Sequence, residues 1–325
     1  MISCELSKEV LQQVTGLLIP REGDFKYHHI CSFDECYDNS IYFLGKKING
    51  INLLCKNAED SIYFVEKTVS FNNASSDSII IYVENVRNIM MKILLYLEEG
   101  TLDDFIDEDY YITDKKSKIH KTAVVDNNTA IGSEVIIGPH VYIGRNVAIG
   151  DNTRIFSGVK IVRNVSIGKN CLIRENSVIG GGGFGIEKDE SGNNIHIPQL
   201  GGVVIGDYVE IGALNTVCSG TIKPTYVGNY VKTDDHIHIA HNDLIEDNTS
   251  ITAGVIISGS VIIKQGSWIG INSSIKQGVK IGENSLIGMA ACVNKDVQEG
   301  TTVIGNPAKE ISEFIKVQNK INSIL

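Results

Sequence analysis

Three histidines crowd into the ten residues Thr233-Asp-Asp-His-Ile-His-Ile-Ala-His-Asn242, where His236, His238 and His241 lie among Asp234, Asp235 and Asn242. An imidazole titrates near neutrality, so it can take the proton that an amine or hydroxyl sheds as it attacks a carbonyl. It is also a common metal ligand. Three readings stay open on these residues alone: a general base, a metal site, or a surface cluster without a role. The Cys or carboxylate ligands that usually complete a zinc site are not present at the expected spacing. In the base reading, His241 is the acceptor, Asp235 (or Asp234) orients the ring, and Asn242 holds the local geometry.

The elements that must position these groups show in a strict sixfold period. A branched aliphatic residue stands at Ile119, Val125, Ile131, Ile137, Ile143, Ile149, Ile155, Ile161, Ile167, Ile173 and Ile179. The phase resumes at Ile205, Ile211 and Val217, shifts, and runs from Val227 to Val293 with Thr233 as its one departure from Ile or Val. Neither a helix (period 3.6) nor a simple strand (period 2) repeats on six, whereas the hexapeptide parallel β-helix does. Each six-residue unit makes one flat side of a triangular coil and points one aliphatic side chain inward, so eighteen residues close a turn and the array makes between eight and nine coils. The position two before each aliphatic is small or β-branched, as at Ala123, Thr153 and Ser177, which suits a tight corner. Glycine follows the aliphatic at 132, 138, 144, 150, 168 and 180, where the chain must bend and a Cβ would clash. Ile239 takes the inward position of the histidine coil, which places His241 near a corner, facing outward.

A regular coil has no room for extra residues and must expel them. Two interruptions do this: Gly180 to Val204, with Gly181-Gly-Gly-Phe-Gly185 and His196-Ile-Pro-Gln-Leu200, and Cys218 to Tyr226. Loops projecting from a rigid scaffold are where binding concentrates.

The chain of 325 residues has room for two domains. Residues 1–100 read as an α/β domain: Ser7 caps a helix through Leu17, apolar runs of strand length follow at 40–44, 51–55, 61–65 and 78–82, and Asn85 caps a second helix. The acidic stretch from Glu98 to Asp109 reads as a connector, so 101–116 is a linker, 117–307 the β-helix and 308–325 a terminal helix. The fold class is mainly β, a parallel β-helix with an N-terminal α/β domain and a short C-terminal helix. A formal charge of -10 argues against nucleic acid. Seven cysteines, odd in number and without CxxC, suggest neither zinc nor a disulfide framework, and a cytoplasmic home is expected. The opening MISCELSKEV has no signal-peptide character, and no apolar run is long enough for a membrane span.

The chain resembles the left-handed β-helix acyltransferases, and in particular the UDP-3-O-acylglucosamine N-acyltransferases of lipid A synthesis. The resemblance rests on Ser40 to Leu44, the coils, Gly183-Phe-Gly185, Ile197-Pro-Gln199, Val209-Glu-Ile-Gly-Ala213 and Ile239-Ala-His-Asn242. It implies left-handed coils, a homotrimer, His241 as general base, and an N-terminal domain that contacts the nucleotide base through an aromatic at the position of Phe43. Phe43, Phe184, His196, Gln199, Asn215 and His238 are the expected substrate contacts. Two departures point elsewhere: Cys218-Ser-Gly220 replaces the family's Asp-Arg-Gly, and Gln277 or Gly278 stands where the family has a second histidine. The ending Gly305-Asn-Pro-Ala-Lys309 resembles coenzyme A-dependent sugar acetyltransferases. These features favour an acyl-CoA-dependent N-acyltransferase acting on a dTDP- or UDP-linked amino sugar, similar to enzymes that acylate a dTDP-linked 4-amino-4,6-dideoxy sugar. Acyl-CoA would lie along Trp268, Gly270, Gly288, Gly305 and Lys309, with no metal required. The alternative is a lipid A enzyme proper, charged by acyl carrier protein. A β-helix scaffold or γ-class carbonic anhydrase is a more remote one.

Overall fold

A computed structural model describes residues 2–20, 25–46, 53–71, 75, 77–102, 110–113, 115–126, 128–305 and 311–322. The chain divides into two compact units, Met1–Asp107 and Glu108–Leu325.

The first unit is built on a five-stranded sheet in the order β1 (Ile2–Ser7), β2 (Lys26–Cys31), β3 (Ser40–Leu44), β4 (Ile62–Glu66), β5 (Ile79–Val83). Only the β1–β2 pair is antiparallel. Ser7 Oγ accepts from the Val10 N–H and starts helix α1 (Lys8–Thr15), which Gly16 ends in the left-handed conformation at φ 72°. Alternation along β3 and β4 makes two cores. Ile41, Ile62 and Phe64 meet Leu11 and, from helix α2 (Val86–Leu102), Ile93. Tyr42, Leu44, Tyr63 and Val65 meet Cys55 and Phe71 on the other side. Two sequence expectations change here. The apolar run at 51–55 is not a strand in its described part. It enters a 3-10 turn at Leu54–Asn57 whose Cys55 carbonyl accepts from the buried Tyr63 hydroxyl. Helix α2 runs to Leu102, into the stretch expected to be a connector, and packs Ile89, Ile93 and Leu97 against the core.

The second unit is the expected parallel β-helix. Three sheets run along its axis, and every parallel pairing joins residues one coil apart. We call them the first face (Lys118–His120, Ile136–Ile137, Arg154–Ile155 and onward), the second face (Val124–Val125, Tyr142–Ile143 and onward) and the third face (Ala130–Ile131, Val147–Ile149 and onward). The aliphatic at the sixfold position forms a continuous core from Ile119 to Val293, and Thr233 is buried in the same register. Residues two before it are interior as well. Where they are polar, they link coils: Thr153 Oγ1 donates to Gly168 O at 2.8 Å and accepts from Cys171 N–H at 3.1 Å, and Ser177 repeats the pattern on Gly212 O and Asn215 N–H.

Except at Gly180, with φ 80°, the bends do not lie at the glycines that follow the aliphatic. They lie three residues before it, where positive φ recurs at Asn146, Asn152, Asn164, Asn170, Asn176, Tyr208, Tyr230, His236, Asn242, Asn248, Asn272 and Asn284, among others. Asparagine tolerates this region because its short amide can bond locally. The glycines after the aliphatic answer to the neighbouring coil instead: a Cβ on Gly144 would stand 1.8 Å from Val162 O.

The two interruptions leave the coil as predicted. The first projects a hairpin of Ile186–Lys188 paired with Asn194–His196. A terminal helix, α3 (Ile311–Asn322), leaves Ile311 and Ile315 exposed. Among the described residues no helix is long and apolar enough to cross a membrane.

Candidate active site

The sixfold register separates the three histidines. His236 occupies the left-handed corner between the first and second faces, at φ 59°. His238 points outward from the second face, in register with Thr216 in the coil below and Ile256 in the coil above. His241 lies on the corner between the second and third faces. No group of three or more metal-ligating side chains converges among the described residues.

His241 sits between two glycines. A Cβ on Gly183, in the first loop, would stand 2.8 Å from the Cβ of His241. One on Gly259, in the coil above, would stand 2.6 Å from its Cε1 and 2.8 Å from its Nε2. The ring therefore fills the space that side chains at 183 and 259 would take. The adjacent amide holds its inner edge: Asn242 Nδ2 lies 3.1 Å from His241 Nδ1. Asn242 Oδ1 accepts from the Thr221 backbone N–H at 2.7 Å, and Nδ2 also donates to Thr221 Oγ1 at 3.2 Å. Thr221 Oγ1 in turn donates to Gln199 Oε1 at 2.8 Å, and Gln199 Nε2 donates to Ile197 O. Both expelled loops are thus joined to the imidazole.

His238 Nδ1 pairs with Thr216 Oγ1 at 2.7 Å. Burial, and then the proximity of His241, hold its pKa below the usual histidine value. Beneath the corner lies Asp243, 1% exposed, the one carboxylate in the interior column two before the aliphatic. Its Oδ1 accepts from Val261 N–H at 2.8 Å, while Oδ2 has no hydrogen-bond partner. Burial pushes its pKa up to about 9, which keeps the carboxyl neutral, and with it the thiol of Cys218 rises to about 11.

Several expected contacts take other places. Asp235 does not touch His241: its Oδ1 accepts from Ala213 N–H at 2.7 Å, a coil-to-coil link. Asn242 takes the orienting position instead. Asn215, expected at the substrate, is 1% exposed and satisfies the coil, with Oδ1 on Ile237 N–H and Nδ2 on Thr233 Oγ1 and Asp234 O. Gln199 is 5% exposed and belongs to the loop junction. Phe184 is 84% exposed on the first loop, and His196 leans on that loop through Nε2 and Gly183 O at 2.8 Å. Phe43 lies in the first unit, stacked on Phe64 at 5.8 Å and packed against its core. Trp268 projects from the first face, away from the corner that carries His241. Gly270, Gly288 and Gly305 each face the next stretch of backbone closely, at 2.5, 3.1 and 2.7 Å for a built Cβ, so packing accounts for them. Lys309 lies outside the described residues. Thr221, Gly183, Gly259 and Asp243 were not anticipated.

Residues 146–181 match the family model of the bacterial transferase hexapeptide (six repeats). The UDP-3-O-acylglucosamine N-acyltransferase of Coxiella burnetii (strain Dugway 5J108-111) is 49% identical over 84 residues, 26% of this chain and 25% of that protein. The corresponding enzyme of Pseudomonas paraeruginosa (strain DSM 24068 / PA7) is 52% identical over 84 residues, 26% of this chain and 24% of that one. The chain thus spans about a quarter of the length of these curated relatives. Among solved structures, the UDP-N-acetylglucosamine acyltransferase of Francisella novicida is 32% identical with a TM-score of 0.54, over 62% of this chain and 73% of that one. LpxA from Acinetobacter baumannii is 27% identical with a TM-score of 0.53, over 62% and 77%.

These matches correct the leading expectation of an acyl-CoA enzyme for a dTDP- or UDP-linked amino sugar. The relatives are named for an acylated UDP-glucosamine, which is the alternative for which acyl carrier protein was the expected donor. The first of the two departures that had argued otherwise has a packing explanation. Cys218 is buried, and Ser219 is 2% exposed and bonded to Gly180 O and Gly181 O, at the root of the first loop. Gln277 shares the register of His241 two coils above, so its identity leaves the corner around His241 unchanged.

Proposed function

We propose, from the premise that the chain belongs to the left-handed β-helix, hexapeptide-repeat acyltransferases, that it is an N-acyltransferase acting on the glucosamine amine of an acylated UDP-sugar. The donor is an acyl chain carried as a thioester on acyl carrier protein. The observation that carries this reading is His241, held at a corner between Gly183 and Gly259 and braced by both expelled loops, in a chain whose relatives bear that name.

The neutral amine attacks the thioester carbonyl, forming the C–N bond as the C–S bond breaks. Nε2 of His241 has no protein partner among the described residues and is the ring nitrogen open to the acceptor. It takes the amine proton and returns it to the departing thiolate, a role that contributes roughly 10²- to 10⁴-fold to rate. Phe184, His196 and the exposed edge of the first loop border the acceptor sugar, and His238 lines the second face beside it. The active form is a homotrimer in which a neighbour's flank closes the corner.

A donor panel tests the reading. Transfer from long-chain acyl-acyl carrier protein to UDP-3-O-acylglucosamine, with none from acetyl-CoA, is the expected outcome. Transfer from acyl-CoA alone to an amino sugar without the 3-O-acyl chain would overturn it.

A further inference from the structure

The hydrogen bonds around His241 run in one direction. A backbone N–H can only donate, so the 2.7 Å contact from Thr221 N identifies the Asn242 atom facing it as Oδ1. Nδ2 must then face His241 Nδ1, and it meets that nitrogen as a donor at 3.1 Å. The next bonds agree. Gln199 Nε2 donates to Ile197 O, which turns Oε1 toward Thr221. Thr221 Oγ1 gives its proton to that oxygen, and so it accepts from Asn242 Nδ2. With Nδ1 an acceptor, a neutral imidazole carries its single proton on Nε2, the nitrogen that faces the acceptor.

We propose that Gln199, Thr221 and Asn242 are positioning residues that form a latch, holding His241 in the tautomer unable to accept a proton from the acceptor, and that turning over the Asn242 amide arms the base. This rests on the general-base reading above and adds a step to it. In the armed form Asn242 Oδ1 accepts from Nδ1–H, and Nε2 presents a lone pair. Nε2 gives its proton to solvent water and Nδ1 takes one from solvent water, so the ring's charge is unchanged. The amide cannot turn while Thr221 N–H points at it, because Nδ2 would then face a second donor. The second loop must therefore shift, and Gln199 ties that shift to the first loop, where the acceptor binds. The latch makes the base available only when both loops have been moved.

Asn242→Asp inverts the latch. An aspartate keeps the shape and tolerates φ 63°, and it accepts from both Thr221 N–H and His241 Nδ1–H. Nitrogen-15 spectra of the neutral His241 ring in the full-length protein, assigned by loss of the signal in His241→Gln, read the tautomer directly. The expected result is a proton on Nε2 in the wild type and on Nδ1 in Asn242→Asp. In Asn242→Ala, which leaves the ring unheld, kcat falls by about 10²-fold. A wild-type ring protonated on Nδ1, or an unchanged tautomer in Asn242→Asp, overturns the proposal. A chain that shows the expected spectra yet transfers no acyl group to the UDP-sugar keeps the latch and loses the functional reading instead.

Discussion

Two corners of the same edge make an instructive pair. Arg163-Asn164 and His241-Asn242 both follow an inward isoleucine by two and three residues, and both asparagines adopt positive φ, 53° and 63°. In the lower corner the layer beneath is an ordinary coil, and the layer above is the returning end of the first loop. There Asn164 Oδ1 accepts from Asn146 Nδ2 at 3.1 Å and its Nδ2 donates to Leu200 O at 3.2 Å, so the amide ties the coil beneath to the end of the first loop and touches no imidazole. In the upper corner the layer beneath has been expelled as a loop, and the same amide reaches Thr221 and the imidazole of His241, the proposed base. The corner asparagine is thus a general connector, and its role depends on what the adjacent layer presents. A scaffold residue becomes part of a site because the coil below it is missing, with no change of its own conformation.

The contrast can be broken most decisively at the preceding residue. His241→Ala is expected to lower kcat by about 10²- to 10⁴-fold, whereas Arg163→Ala leaves kcat within about threefold in the same steady-state assay. A surviving His241→Ala enzyme would remove the difference between the corners. Next in size is Gly259→Ala, whose Cβ would overlap the imidazole at 2.6 Å and displace it, costing roughly 10- to 10²-fold in kcat. Gly278→Ala, one coil higher at φ 74° with open space around it, should cost about 1 kcal/mol in thermal unfolding and nothing in kcat.

The interior beneath the upper corner adds a pH signature that the lower one lacks. Asp243 holds its proton in the folded chain up to about pH 9, while an unfolded aspartate releases it near pH 3.8. Between these values the native state binds more protons, so this group's contribution to stability falls as pH rises through that window, by at most about 1.4 kcal/mol per pH unit. Asp243→Asn removes the slope, and its stability relative to wild type should grow from about pH 4 to pH 9 in denaturant titrations. Parallel pH curves for the two proteins would show that Asp243 is ionised. The smallest effect belongs to Asn164→Asp, which should change stability by no more than about 0.5 kcal/mol and leave the His241 spectrum untouched.

Much of this architecture is legible in the one-dimensional period. Inward aliphatics every six residues fix the coils, and the two places where extra residues cannot fit fix the loops. The same phase also contained information that the choice of site residues passed over. Asn215 stands two before Val217, the column that Thr153 and Ser177 occupy, and is interior for the same reason. Asp235 likewise belongs to a register in which a carboxylate caps the neighbouring coil, as Asp151, Asp207 and Asp247 do. The column of asparagines at positive φ was written in the sequence, but the glycines after the aliphatic drew the attention. What the period cannot contain is the path of a loop once it has left the coil. Thr221 meets Asn242, and Gly183 meets His241, across sequence separations that no repeat relates.

The parallel register has a consequence for how such a chain can change length. Up to Val293 each strand pairs with the one eighteen residues away, as Ile143 does with Ile161, wherever no loop intervenes. Deleting eighteen residues from the uninterrupted stretch below Ile179 removes one storey and leaves the edge bearing His241 in line. Deleting six keeps every aliphatic inward, yet rotates all that follows by one face and carries the histidine to a different corner from the remaining lower coils. Related chains of different length should therefore differ by whole storeys, with smaller insertions confined to the expelled loops.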